Sequence, residues 1–443
     1  MTTNNLLRRN FLKSTILAAG GITLAACAPT SPDSNAAPAQ GAITSSKKTD
    51  IQFLNELVGS KEVGRTFLLA AFNAANDQIN VIHEGYGGGE DVNQKFLTAL
   101  SGGVPPDLYH NEANFIPAYV EMDALTDLSP YLEASTRIKK SDINPHPLDL
   151  CTYNNKIYGI PIFEDTLMLY YNKDLMKAAG LDPDSPPKDW AALREAALTI
   201  VKRDSGGKLQ VAGLLLDSWS INKCFQAALY EWGGTLLSAD GTQATFNSQE
   251  GKDALQTLVD LILVDKLGEV GWGLEFEDTP DEPFTAGKQG FMFDVPAAAK
   301  RIHKNNPGFT NWGTTGIPAG PKGAATVSRP PALMIPKSAK NKDQAWRVIE
   351  YWLDTKVQLR WALDILRAPS TISSSADEAL ASSPVISTLV QALKNTVDSP
   401  KTKHWAELVD TMTAELELAI GGQKAAGQAL DDAAAALNKV LTT

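Results

Sequence analysis

The sequence predicts an α/β protein built from two domains, and three observations carry the prediction. The chain has 443 residues, more than one ordinary hydrophobic core accommodates. Unbroken apolar runs at 167–171 and 211–216 are short enough for strands buried on both faces. Between such runs lie longer segments with apolar residues at helical spacing, such as Trp190, Leu193, Ala197 and Ile200. Charged residues at 21% and hydrophobic residues at 43% describe a globular chain, not a disordered one.

Charge and motifs exclude several functions. The formal net charge is -11, and such a surface repels phosphate backbones, so no nucleic-acid partner is expected. Five histidines are scattered without a His-Glu-x-x-His spacing, and no Asp-x-Asp-x-Asp-Gly calcium loop is present. Gly-x-Ser-x-Gly and Walker motifs are missing as well. No metal, no cofactor and no catalytic residue is therefore expected.

The chain opens with Leu7-Arg8-Arg9-Asn10-Phe11-Leu12-Lys13 and an apolar segment over 14–26. The basic pair resembles a twin-arginine export signal, and the apolar segment is too short for a permanent span. Leu24-Ala25-Ala26-Cys27 has the small residues and the cysteine of a lipobox. Residues 1–26 are thus expected to be a signal peptide, with Cys27 the acylated residue. A tether over 27–48, rich in Pro, Ser and Ala, follows. Of the other cysteines, Cys151 and Cys224 fall in different domains, and two buried free thiols are expected.

In the first domain, 51–54 reads as a strand and 62–76 as a helix with Phe67, Ala70 and Ala71 inward. A strand at 79–82 leads to Gly85-Tyr86-Gly87-Gly88-Gly89, which invites a phosphate-cradle reading. Glu90 and Asp91 argue against it, because carboxylates already occupy the helix N-terminus. The next helix carries Val92, Phe96, Leu97 and Leu100 on one stripe, and a strand at 107–109 follows Pro105-Pro106. Asn55, Glu56, Asn111 and Glu112 come directly after strands, where ligands of open α/β sheets gather. Taken singly, each is more often a surface polar residue than a ligand.

At 158–183 Gly159 and Pro161 give an extended lead-in to the strand at 167–171. Asn172 caps a short helix, and Gly180 stops it before Pro183. Glu164 and Asp165 sit where this segment enters the sheet. In the second domain a strand at 211–216 ends in Asp217-Ser218-Trp219, and a tryptophan there is poorly placed for a core. Asn247 is expected to cap the helix that carries Leu255, Leu258 and Ile262. Glycine-flanked Trp272 lies in a long acidic loop, the kind of segment that tends to carry function. A strand at 332–336 and a helix at 340–354, with Trp346, Ile349 and Leu353 inward, complete the return. The remaining helices read as structural.

Three strings together resemble the family 1 extracellular solute-binding proteins, the capture subunits of sugar ABC importers. They are Tyr-Gly-Ile-Pro at 158–161 with Leu-Tyr-Tyr-Asn-Lys at 169–173, Phe-Thr-Ala-Gly-Lys at 284–288, and Ala-Leu-Met-Ile-Pro-Lys at 332–337. The resemblance implies a two-lobed periplasmic-binding-protein-like fold of type II, each lobe a mostly parallel sheet flanked by helices, joined by crossover hinges. It places one lobe at 49–163 and 324–366 and the other at 164–323 and 367–443. It further implies Asp165 as the carboxylate facing the ligand, with Glu164 pointing the other way on the extended chain. Asp294, Arg329 and Arg367 fall where the family lines or borders its cleft, and Trp219 with Asp217, or Trp272, would offer a stacking face. The aromatic that often follows the strand at 289–294 is replaced by Val295-Pro296-Ala297.

The expected function is capture of a carbohydrate by a monomeric, lipid-anchored protein that hands it to a membrane permease. Capture of a polyol or peptide by the same fold is the first alternative. An exported hydrolase is the second, and the opposed directions of adjacent Glu164 and Asp165 disfavour it.

Overall fold

Two five-stranded sheets hold most of the strand residues, and the chain passes between them more than once. The computed structural model describes residues 48–57, 62–86, 89–216, 218–272 and 282–442, without the side chains of 62–64, 89, 90, 218 and 219. The expected signal peptide, the expected lipobox with Cys27, the expected tether as far as residue 47, and Asp217 lie outside these residues. Among the described residues no helix is long and apolar enough to cross a membrane, and no cluster could hold a metal ion.

The first sheet runs Ile79–Gly85, Thr49–Asn55, Leu108–Glu112, Pro331–Met334, Ile160–Pro161. Thr49–Asn55 lies parallel to both of its neighbours. The strand Pro331–Met334 runs antiparallel to Leu108–Glu112 and to Ile160–Pro161. The second sheet runs Trp312–Thr315, Met168–Asn172, Gln289–Asp294, Leu209–Leu214, Lys202–Arg203. Only Leu209–Leu214 and Gln289–Asp294 are parallel there. The sheets are therefore mixed, not mostly parallel. Strands that arrive through a crossover enter from the far end of a sheet and run against the strand-helix-strand units already laid down.

Local chemistry explains the central elements. Met168–Asn172 is buried along its whole length between two antiparallel neighbours, as its unbroken apolar run requires. Asn172 ends it and accepts the Leu175 N–H at 3.1 Å, capping Lys173–Ala178. Asp189 caps Trp190–Ile200 through the Ala192 N–H. That helix lies directly on Leu209–Leu214. A Cβ at Gly213 would stand 2.4 Å from the Ala197 carbonyl oxygen, so glycine permits the approach.

Two local expectations are corrected. Phe67 is 49% exposed, with the Arg360 guanidinium over its ring; Leu68, Leu69 and Phe72 form the inner face of Glu62–Ala75. Ser248, not Asn247, caps Gln249–Leu263, because its hydroxyl accepts the Gly251 N–H while the Asn247 amide donates to Asp431. The helix Trp405–Ile420, expected to be structural, buries Trp405 with Arg329 over its ring. Cys151 and Cys224 are buried free thiols, as expected.

Candidate functional site

The ends of the two sheets meet around the crossovers. From the first sheet, Leu108–Glu112 ends at Glu112, which is in register with Pro331 of the returning strand. Arg329 stands two residues before that strand. From the second sheet, Gln289–Asp294 ends at Asp294, opposite Met168. The helix Ser218–Glu231 starts just beyond the end of Leu209–Leu214, bringing Asn222 and Lys223 to the same region. Phe163–Glu164 pairs antiparallel with Ala368–Pro369, and Thr326–Val327 pairs parallel with Thr396–Val397, so four chain segments cross together. Thr166 fastens two of them, donating to the Val327 carbonyl at 2.9 Å and meeting the Thr326 hydroxyl.

The adjacent acids of the crossover have different partners. Glu164 is buried, with Oε1 2.6 Å from His146 Nδ1. The other imidazole nitrogen lies 3.5 Å from Asp398, just past the fourth crossing segment. Burial alone would lower the His146 pKa, but the bond and charge of Glu164, with the charges of Asp398 and Asp149, hold it above its ordinary value. Asp165 is partly exposed and has Arg367 Nε 2.5 Å from its carboxylate. The Nε–H is not aimed along that contact, which makes it an ion pair and not a linear hydrogen bond.

Other candidates turn inward. Arg367 is buried, its guanidinium 5.7 Å from the Phe163 ring centre and its Nη1 donating to the Ile365 carbonyl. It holds Asp165 in place instead of lining the cleft. The fully buried Asn55 accepts the Leu57 N–H at 3.1 Å and Arg65 Nη1 at 3.2 Å, bracing the turn after its strand. Asp294 accepts the Val295 N–H and is 2.5 Å from Arg301 Nη2, which also bonds Glu282. A short polar side chain at a strand end satisfies the nearest backbone groups first, and that local competition explains Asn55 and Asp294.

Glu56 is half-buried, and its charge adds to the burial that raises the pKa of Tyr109. Tyr109 stacks on Phe96 at 3.8 Å, and its hydroxyl meets that of Tyr119 at 3.0 Å and the Asn111 amide at 2.9 Å. This packing fixes the strand end from which Glu112 projects. Trp272 is half-buried in a turn closed by its N–H on the Glu269 carbonyl. Asp217 and the Trp219 side chain lie outside the described residues.

What remains together is Glu112, Asp165, Arg329 and Lys223. The pKa of Lys223 is lowered by burial and then by the Arg329 charge, while Glu112, Asp165 and Asp294 oppose both effects. Arg329 is lowered by burial against the pull of Glu112. A site with this mixture can bind polar groups of either sign by hydrogen bonding.

The chain matches the model of a bacterial extracellular solute-binding protein over residues 68–388. It belongs to the bacterial extracellular solute-binding proteins. A relative named only as a binding protein, from Brucella abortus, is 24% identical over 353 residues, covering 79% of this chain and 82% of that one. A maltooligosaccharide ABC transporter solute-binding lipoprotein of Streptococcus pneumoniae is 25% identical over 306 residues, 65% of this chain and 66% of that one. Among solved structures, an ABC transporter solute-binding protein of Thermotoga lettingae bound with α-D-tagatose superposes with a TM-score of 0.78 at 23% identity. That match covers 89% of this chain and 100% of the other. The two-lobed fold follows from this likeness.

In this solute-binding protein the sequence reading missed Lys223, Asn222 and Trp405. One signal for the first two was available: a helix that begins straight after a buried strand lays its early turns over the strand's carboxyl end. Trp405 gave none, since its helix starts far along the chain from either sheet.

Proposed function

We propose that this protein captures a carbohydrate between its two lobes and delivers it to the permease of an ABC importer, without chemically changing it. The observation that carries the reading is the convergence of Glu112, Asp165, Lys223 and Arg329, from both sheets and two crossovers, on one region at the sheet ends. Carboxylates and amides take sugar hydroxyls, and a tryptophan covers the C–H face of a pyranose. The maltooligosaccharide relative and the tagatose-bound structure support a carbohydrate over a peptide. Trp272 and Trp219, with Asp217, are the proposed stacking side, and Asp165 and Glu112 the proposed hydroxyl acceptors.

The lobes are taken as 49–163 with 324–366, and 164–323 with 367–443. Closure about the crossovers buries the ligand and creates the surface the permease reads. The protein works as a monomer outside the cell, held to the membrane by lipid on Cys27 after loss of residues 1–26.

A thermal-shift panel of mono- and oligosaccharides tests the reading. A ligand at 100 times its Kd adds roughly 2.7 kcal/mol to stability, so a true ligand raises the unfolding temperature of the free protein. A panel in which amino acids or peptides shift it and no carbohydrate does would contradict the proposal.

A further inference from the structure

The arginines near the crossovers differ in what they touch. Arg367 rests against Asp165, and Arg301 against Asp294 and Glu282. Arg329 has no carboxylate within ion-pair distance among the described residues. Its Nη2 donates to the Asn222 amide oxygen at 2.9 Å, and its guanidinium carbon lies 5.1 Å from the Trp405 ring centre. Its Nε is buried with no hydrogen-bond partner.

This frame is built, not incidental. The Asn222 oxygen also accepts from Gln226 at 2.6 Å, and the Asn222 amide donates to the Thr413 hydroxyl at 2.8 Å. Among the described residues the guanidinium is thus fixed by neutral groups, which leave its charge without a directly contacting carboxylate and its Nε–H without an acceptor. Lys223, next to Asn222, brings a second cation close enough for the two charges to oppose one another, with Glu112 acting favourably on both and Asp165 and Asp294 on Lys223 alone. Two like charges held together at a binding site are relieved when an anion arrives.

We propose that the carbohydrate taken by this cleft carries a carboxylate, as a uronic-acid unit does, and that Arg329 is its partner with Lys223 adding to the attraction. The proposal rests on the carbohydrate reading above and narrows it. A guanidinium presents parallel N–H groups that match a planar carboxylate, and a buried Nε–H gains from an incoming acceptor oxygen. A neutral sugar supplies hydroxyl acceptors but no opposing charge.

Matched pairs separate the two ideas. The full protein is titrated calorimetrically with di- and tri-galacturonate and with their methyl esters, and with xylo-oligosaccharides that do or do not carry glucuronic acid. The expected result is at least about tenfold tighter binding of the acid member of a pair, with Arg329→Gln removing that preference. Neutral members that bind equally well or better, or an Arg329→Gln variant that weakens both members alike, would overturn the proposal and leave the carbohydrate reading standing. Absence of binding by every carbohydrate, charged or neutral, overturns both. If Arg329→Gln fails to fold, Lys223→Gln reads the same ratio: a fall of about threefold or more supports the proposal, and an unchanged ratio overturns it.

Discussion

The Asp165 carboxylate lies 2.5 Å from Nε of Arg367, an ion pair joining the segment that leaves the first sheet to the segment following the helix Thr355–Ile365. The pair sits beside the antiparallel contact of Phe163–Glu164 with Ala368–Pro369. One face of Asp165 therefore holds the crossover, while its partly exposed side remains available to a ligand.

Asp165→Asn keeps the shape and removes the charge. It should weaken sugar binding about tenfold, because hydrogen bonds to a charged acceptor are worth about 1.5–3 kcal/mol. It should also lower the stability of the ligand-free protein, since Arg367 stays buried without its counter-ion. Glu164→Gln should leave affinity within about twofold, its carboxylate being turned to His146. Calorimetry with the best sugar from the panel, beside denaturant unfolding, separates the two roles of Asp165. Lost stability with unchanged affinity would make it only the counter-ion of Arg367.

His146 ties Glu164 to Asp398 across two crossing segments. Its raised folded-state pKa means that the native protein holds the proton more tightly than the unfolded chain. The stabilisation is fully present below the ordinary imidazole value of about 6.5 and is lost as pH rises through the raised value. The unfolding temperature should fall from about pH 6.5 towards pH 8 more steeply for the natural protein than for His146→Gln. Parallel curves would show that the imidazole carries no such linkage.

The proposed anchor has a direct readout. Cys27→Ala should move the protein from the detergent-extracted membrane fraction to the soluble fraction. Retention on membranes without that thiol would place the attachment elsewhere.

Much of this arrangement was legible in the sequence, and the exceptions have physical reasons. The Asn172 cap, the buried strand before it and the adjacent acids at the crossover were readable because short-range chemistry fixes each of them. The partner of Asp165 was not, since Arg367 reaches it only through the packing of segments distant in sequence. Asn55 and Asp294 looked like ligand groups from their places at strand ends, yet nearby donors claim them. Lys223 lies in the early turns of Ser218–Glu231, a place that the helix's start after a buried strand marks, whereas its approach to Arg329 depends on packing between segments distant in sequence. The mixed strand directions were hidden for the same reason: an apolar run states that a strand is buried, not the end from which it enters.

The central claim is stoichiometric capture of an intact carbohydrate. Isothermal titration of the purified protein with the best carbohydrate of the panel, followed by chromatography of the recovered sugar, tests it most directly. Saturable binding at one site per chain, an unaltered sugar after prolonged incubation, and no heat from amino acids or peptides are expected. Heat from a peptide or amino acid with none from any carbohydrate would contradict it, as would accumulation of cleaved sugar.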